Sequence, residues 1–95
     1  MPRITWSEKA VADLVALNDW LTEYRRPREA VDAIKAIRNQ VANLDRFPAV
    51  GSPVYAGTRK LVIKGQPFVL LYEMAGGKLM ILRLVHNRSD WQSLL

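Results

Sequence analysis

Arg59-Lys60-Leu61-Val62-Ile63-Lys64-Gly65-Gln66-Pro67-Phe68-Val69-Leu70-Leu71-Tyr72-Glu73-Met74-Ala75-Gly76-Gly77-Lys78-Leu79-Met80-Ile81-Leu82-Arg83-Leu84-Val85-His86 is a run of three apolar segments separated by two Gly-marked turns. Segments of this length, rich in branched and aromatic side chains and punctuated by glycine, read as consecutive antiparallel strands. Gly65-Gln66 suits a two-residue turn with Gly at its first central position, and Gly76-Gly77 makes the next. The third strand leads into Val85-His86-Asn87-Arg88-Ser89-Asp90-Trp91, which gathers the only histidine, an amide, an arginine and a carboxylate at a strand end. Such side chains sit on the rim of a sheet, where a ligand can reach them while the scaffold holds them still.

Upstream, Ile4 and Trp6 alternate with Arg3 and Thr5 as a short first strand. Thr5-Trp6-Ser7-Glu8 fits a capping box, so a helix begins at Thr5 or Ser7. It carries Val11, Leu14, Leu17 or Asn18, Leu21 and Tyr24 at helical spacing, and stops near Arg25-Arg26, whose cations suit the negative end of the helix dipole. Pro27 starts a second helix. Its apolar stripe is Ala30, Ile34, Ile37, Val41 and Leu44, with Asp32, Lys35, Arg38 and Asn39 opposite. The two form an antiparallel helical hairpin. Pro48, Gly51, Pro53 and Gly57 then predict irregular chain from Asp45 to Gly57. The expected architecture is α+β, in the order β-α-α-β-β-β, with the hairpin packed on one face of a small, mainly antiparallel sheet. At 95 residues it is a single domain spanning 1–95.

Two-residue turns fix which side chains share a face. Leu61, Ile63, Phe68, Leu70, Tyr72, Leu79 and Ile81 fall together with Arg59, Arg83 and Val85. Val62, Val69, Leu71, Met80, Leu82 and Leu84 fall on the other side, ringed by Lys60, Lys64, Glu73 and His86. The first set, with the bulky Phe68 and Tyr72, is assigned to the hairpin. The second is left open, and a face this apolar calls for another cover.

Composition narrows the function. There is no cysteine, hence no disulfide, thiolate nucleophile or thiolate metal site, and the single histidine argues against a histidine metal site. No cofactor is implied. The start of the chain has no apolar leader core, and no run is long enough to span a bilayer, so a cytoplasmic protein is expected. Residues 1–45 balance seven Lys/Arg with seven Asp/Glu, so the net charge of +5 belongs to residues 46–95. That field either attracts nucleic acid or an acidic protein segment, or serves solubility alone.

The order and spacing of these parts resemble the ParE/RelE toxin superfamily. Leu44-Asp45-Arg46-Phe47-Pro48-Ala49-Val50-Gly51 is similar to that family's exit from the second helix, and Arg59-Lys60-Leu61 to its arginine at the start of a strand. Leu71-Tyr72-Glu73 resembles its tyrosine strand, and Ile81 to Asp90 its His-x-Arg-x-Asp ending. The resemblance covers essentially the whole chain. It implies a small toxin encoded beside a cognate antitoxin that wraps it, with the open-face residues Val62, Val69, Leu71, Met80, Leu82 and Leu84 as the antitoxin's seat.

Two mechanisms occur in the superfamily: ParE-like members bind DNA gyrase, and RelE-like members cut messenger RNA on the ribosome. In the strand that matches the RelE nucleases, the position of their arginine holds Val69, and a valine cannot stabilise charge developing on phosphorus. Lys60, Lys64, His86 and Arg88 are the remaining candidates for nuclease catalysis. The long hairpin and the His86-to-Asp90 ending are closer to ParE. The expected function is therefore growth inhibition through gyrase by Arg59, Arg83, His86, Arg88 and Trp91, without catalysis; the alternative is a ribosome-dependent mRNA endonuclease. Each of these residues also has a structural reading. Arg59 and Arg83 would pair with helix carboxylates such as Asp13 or Asp19, His86 would bond at the strand end, Arg88 would pair with Asp90, and Trp91 would lid the core edge. Trp20, off the helical stripe, is either core or interface.

Overall fold

The computed structural model describes residues 3–95; Met1 and Pro2, part of the amino-terminal stretch read above for a leader, lie outside the described residues. The elements run β1 (Arg3–Trp6), α1 (Glu8–Tyr24), α2 (Pro27–Asn43), β2 (Ser52–Tyr55), β3 (Thr58–Val62), β4 (Phe68–Ala75) and β5 (Lys78–His86), with a 3-10 turn at Trp91–Leu94. They build one five-stranded sheet in the order β1-β5-β4-β3-β2. β1 lies parallel to β5, and the other pairs are antiparallel. Among the described residues no helix is long and apolar enough to cross a membrane.

The helices follow local chemistry with adjustments. Ser7, not Thr5, caps α1: its Oγ accepts from Ala10 N at 3.0 Å and donates to Leu82 O at 2.8 Å. The buried stripe of α1 is Ala10 and Leu21 with half-buried Leu14 and Leu17, whereas Val11 and Tyr24 face solvent. Pro27 opens α2 as expected. Ala30, Ile37, Val41 and Leu44 are buried, joined by Ala33, and Ile34 is half-buried.

The segment expected to be irregular contains an extra edge strand, β2. Pro53 is tolerated there because an outer strand leaves one row of backbone groups unpaired. β3 begins at Thr58, one residue before the apolar run read from Arg59. The β3–β4 connection is wider than two residues, closed by Ile63 N to Phe68 O at 3.0 Å and Gln66 N to Ile63 O at 3.0 Å, yet it preserves the expected register of Arg59 opposite Tyr72. Gly76 and Gly77 both take positive φ (58° and 76°), which twists the two-residue turn to match its strands and places Ala75 opposite Lys78.

Beyond that turn the expected faces fail. Tyr72 pairs with Ile81 but Leu71 pairs with Arg83, so Leu82 is an extra residue, a β-bulge. An extra residue swaps the faces of everything after it. Leu84 therefore joins the hairpin-side core and His86 turns toward that side, while Val85 packs on the opposite face.

Tyr72 ties the sheet to the loop after α2. It is fully buried, its hydroxyl donates to Pro48 O at 2.8 Å and accepts from Gly51 N at 2.9 Å. A Cβ on Gly51 would meet Tyr72 Cε1 and Oη at 2.7 Å and the Lys60 carbonyl oxygen at 2.9 Å. Gly51→Ala is expected to cost about 2 kcal/mol by overpacking, lowering the melting temperature by roughly 10 °C for a chain of this size. Thermal denaturation followed by circular dichroism checks it; a variant melting with the parent would show that the loop yields freely.

Candidate functional site

Asp13 organises the end of β5. β1 stops opposite Ile81, so the β5 edge beyond it has no strand neighbour. The first turns of α1 run along that edge instead. The Asp13 carboxylate accepts from Arg83 Nε at 2.7 Å, Arg83 Nη2 at 3.1 Å and Leu84 N at 3.0 Å. The pair is partly buried, and the hydrogen bonds that Arg83 donates to Asp13 raise the Arg83 pKa above its ordinary value against the opposing effect of desolvation. Arg83 thus takes the helix-carboxylate partner foreseen for it. Arg59 does not: its Nη1 donates to Gly51 O at 2.7 Å and Ala49 O at 3.2 Å, so it clamps the same loop as Tyr72.

His86 ends β5 exposed, edge-on to Phe68 with centroids 5.9 Å apart. Its Nδ1 accepts from Arg88 N at 3.0 Å, and Ser89 Oγ donates to its carbonyl at 2.6 Å. Arg88 is exposed, and the expected Arg88–Asp90 pair does not form; the exposed Asp90 receives its own downstream turn, with Ser93 Oγ donating to its carbonyl. His86 opens on a recess of about 390 Å³ shared with Trp20, Phe68 and the α1–α2 connection. Lys64 is exposed in the β3–β4 loop.

The opposite face is not open down its middle. Trp91, 8% exposed, lies on Val69 and Leu71, which are 2% and 1% exposed, with Val54 of β2, Leu82 and Val85 packed around them. Lys60 Nζ sits over the Trp91 ring at 5.4 Å. The expected antitoxin seat is therefore corrected as a surface. Val69 and Leu71 are covered by the chain's own tail, Leu84 belongs to the other core because of the bulge, and Leu82 is half-buried. Only Val62 and Met80 of that set, 56% and 39% exposed, remain open. Of the four residues considered for nuclease catalysis, Lys60 is on the Trp91 side and His86 on the hairpin side, while Arg88 adjoins His86 and Lys64 lies in the β3–β4 loop, whose Pro67 carbonyl accepts from Asn87 N at 2.9 Å. The bulge left one sequence signal, an arginine in an apolar strand that needs a counter-charge.

Two helices on one face of a five-stranded mixed sheet, in this chain order, define the ParE/RelE-type toxin fold. The chain belongs to the ParE toxin family of type II toxin–antitoxin systems, described as "ParE toxin of type II toxin-antitoxin system, parDE", which it matches over residues 4–91. It is 29% identical over 86 residues to Toxin RelE2 of Caulobacter vibrioides, covering 90% of this chain and 96% of that one. A structure of the chromosomal ParDE toxin–antitoxin system from P. aeruginosa superposes with a TM-score of 0.80 at 30% identity, covering 90% of this chain and 96% of the other. The RelBE2 toxin–antitoxin complex of Mycobacterium tuberculosis superposes with a TM-score of 0.63 at 26% identity, covering 90% and 99%.

Trp91→Ala should cost about 3 kcal/mol, since it uncovers Val69 and Leu71 as well as removing an indole, and urea denaturation measures it. Leu71→Asp, which buries a charge beneath Trp91, should unfold the free chain outright. A Leu71→Asp chain that stays folded without a partner would show that the tail leaves this face open in solution.

Proposed function

We propose that this toxin acts by binding DNA gyrase, without cutting RNA itself, and that a cognate antitoxin neutralises it. The reading rests on the valine at the position of the nuclease arginine and on the separation of Lys60 from His86 across the sheet. Transfer of a phosphoryl group through the 2′-hydroxyl needs a base, an acid and cations within hydrogen-bond reach of one phosphate. Here the position of the nuclease arginine is a valine sealed under an indole, Lys60 rests on that indole, and His86 lies around the sheet from both with one ring nitrogen engaged. A binding protein needs no such convergence. Gyrase is the target implied by the ParE resemblance, and such a target places the chain in the cytoplasm. The antitoxin is proposed from membership of a toxin–antitoxin family and from the ParDE and RelBE2 assemblies of its structural neighbours. Its contact surface takes in Val62, Met80 and the exposed part of Leu82. The target contact is assigned to the rim, with Arg88 and His86 at its centre and Arg59, Arg83 and Trp91 holding the surrounding structure in place.

Induction without antitoxin should produce filamentous cells and a DNA-damage response. Rapid arrest of protein synthesis, with messages cut in the ribosomal A site, would overturn the gyrase reading in favour of the endonuclease. Arg88→Ala should abolish growth inhibition, because a central interface arginine is worth about 2 kcal/mol or more, while an exposed residue leaves the melting temperature within a degree or so. A fully toxic Arg88→Ala would remove the rim from the mechanism.

A further inference from the structure

The recess beside His86 lies where the α1–α2 connection meets the sheet end. Its walls are aromatic: Trp20, 47% exposed, from α1; Phe68 from β4; and His86 from β5. A second recess of about 310 Å³ continues it along α1 past Leu17 and Leu84, sharing the same three rings. The first recess is also lined by two carboxylates of α2, Glu29 and Asp32. Among the described residues neither makes an ion pair or a side-chain hydrogen bond. On a chain of net charge +5 the lining of this corner carries two carboxylates and one guanidinium, that of Arg25.

One cation already occupies part of it. The Arg25 guanidinium sits over the Trp20 ring, 5.6 Å from its centroid. A guanidinium is planar and weakly hydrated, so it stacks on an indole face and donates to carboxylates at the same time. Arg25 reaches the ring but makes no ion pair with Glu29 or Asp32. The recess therefore has an indole that accepts a guanidinium, two free carboxylates, and a volume within the range of ligand pockets.

We infer that this recess is a binding site for an arginine side chain presented by a protein partner, stacked on the exposed Trp20 ring and paired with Glu29 and Asp32. The site shares His86 with the rim but not Arg88, and does not depend on gyrase being the target. Its charge selects against an acidic segment, and its aromatic walls select against a bare metal cation.

The test is titration of the purified chain with N-acetyl-arginine methylamide, followed by tryptophan fluorescence and by the Trp20 indole NMR signal. A saturable change is expected at millimolar concentrations, with the lysine analogue binding several-fold more weakly and the citrulline analogue not binding. Trp20→Ala should abolish the response, and Glu29→Gln combined with Asp32→Asn should weaken it tenfold or more. All three positions are exposed, so the melting temperature should not move. Arg25→Ala should tighten binding several-fold by removing the internal competitor. A citrulline analogue that binds as well, a response that survives neutralising both carboxylates, or weaker binding in Arg25→Ala would overturn the proposal. Saturable binding of adenosine monophosphate without any response to the arginine analogue would also overturn it, and would assign the recess to a nucleobase. Loss of gyrase binding or toxicity in Arg88→Ala with the arginine response intact would separate this site from the rim.

Discussion

The Asp13 carboxylate fixes which way the end of β5 faces. β1 supports β5 only as far as Ile81, and there Leu82 bulges. A bulge at an unsupported edge would fray, because its backbone groups would go unpaired. Two side chains from the first turns of α1 replace the missing strand: Ser7 Oγ donates to Leu82 O, and Asp13 accepts from Leu84 N while holding Arg83. Leu84 then fills the core beside Leu70, and His86 is carried round to Phe68. A regular strand would instead bury Val85 and Arg83 against the hairpin and leave Leu84 in water. Losing Asp13 would strand a partly buried guanidinium together with an unpaired amide, which makes the bulge and the ion pair one device.

This explains which parts of the architecture were legible in the sequence. Helix α2, Pro27 at its start, the Gly76-Gly77 turn and the Arg59–Tyr72 register all rest on interactions between residues close in sequence or on turn geometry, and all are found. The bulge rests on a carboxylate 70 residues away, so strict alternation gave the wrong sides for Leu84, Val85 and His86. β2 was hidden because Pro53 and the flanking glycines argue against regular structure, while an edge strand needs only one row of hydrogen bonds. At the candidate site, Arg83 announced its own partner, since a lone arginine in an apolar strand needs a counter-charge. Arg59 did not, because backbone carbonyls leave no mark in a sequence.

The sheet has two unequal apolar sides. The hairpin covers one with a contiguous core from Ala10 to Leu84. On the other, one indole and a short edge strand seal Val69 and Leu71. The apolar count of that face was read correctly, but its cover is intramolecular. The indole is held by little more than its own contacts and the Lys60 ammonium above it. A single ring shielding two fully buried strand residues concentrates the stability of this side in the last turn of the chain. At the margins of this face Val62 and Met80 stay exposed.

Charge divides the molecule in the same way as burial. The excess cations belong to the strand half, and Arg88 stands at its rim without a carboxylate partner among the described residues. The hairpin half is neutral overall, yet it gathers Glu29 and Asp32 beside the exposed Trp20. Stabilising a phosphorane requires cations converging on one point in a preorganised site. This fold spreads them instead: Arg83 is spent on Asp13, Arg59 on the loop carbonyls, and Lys60 on Trp91. Among the described residues, Lys64 and Arg88 remain exposed without an ion-pair partner. The proposed binding role asks for no convergence, because in a protein interface a few well-placed anchors carry most of the affinity. The frame thus commits Arg83, Arg59 and Lys60 to partners within the chain, while Arg88 beyond β5 and the carboxylates of α2 stay exposed on either side of His86.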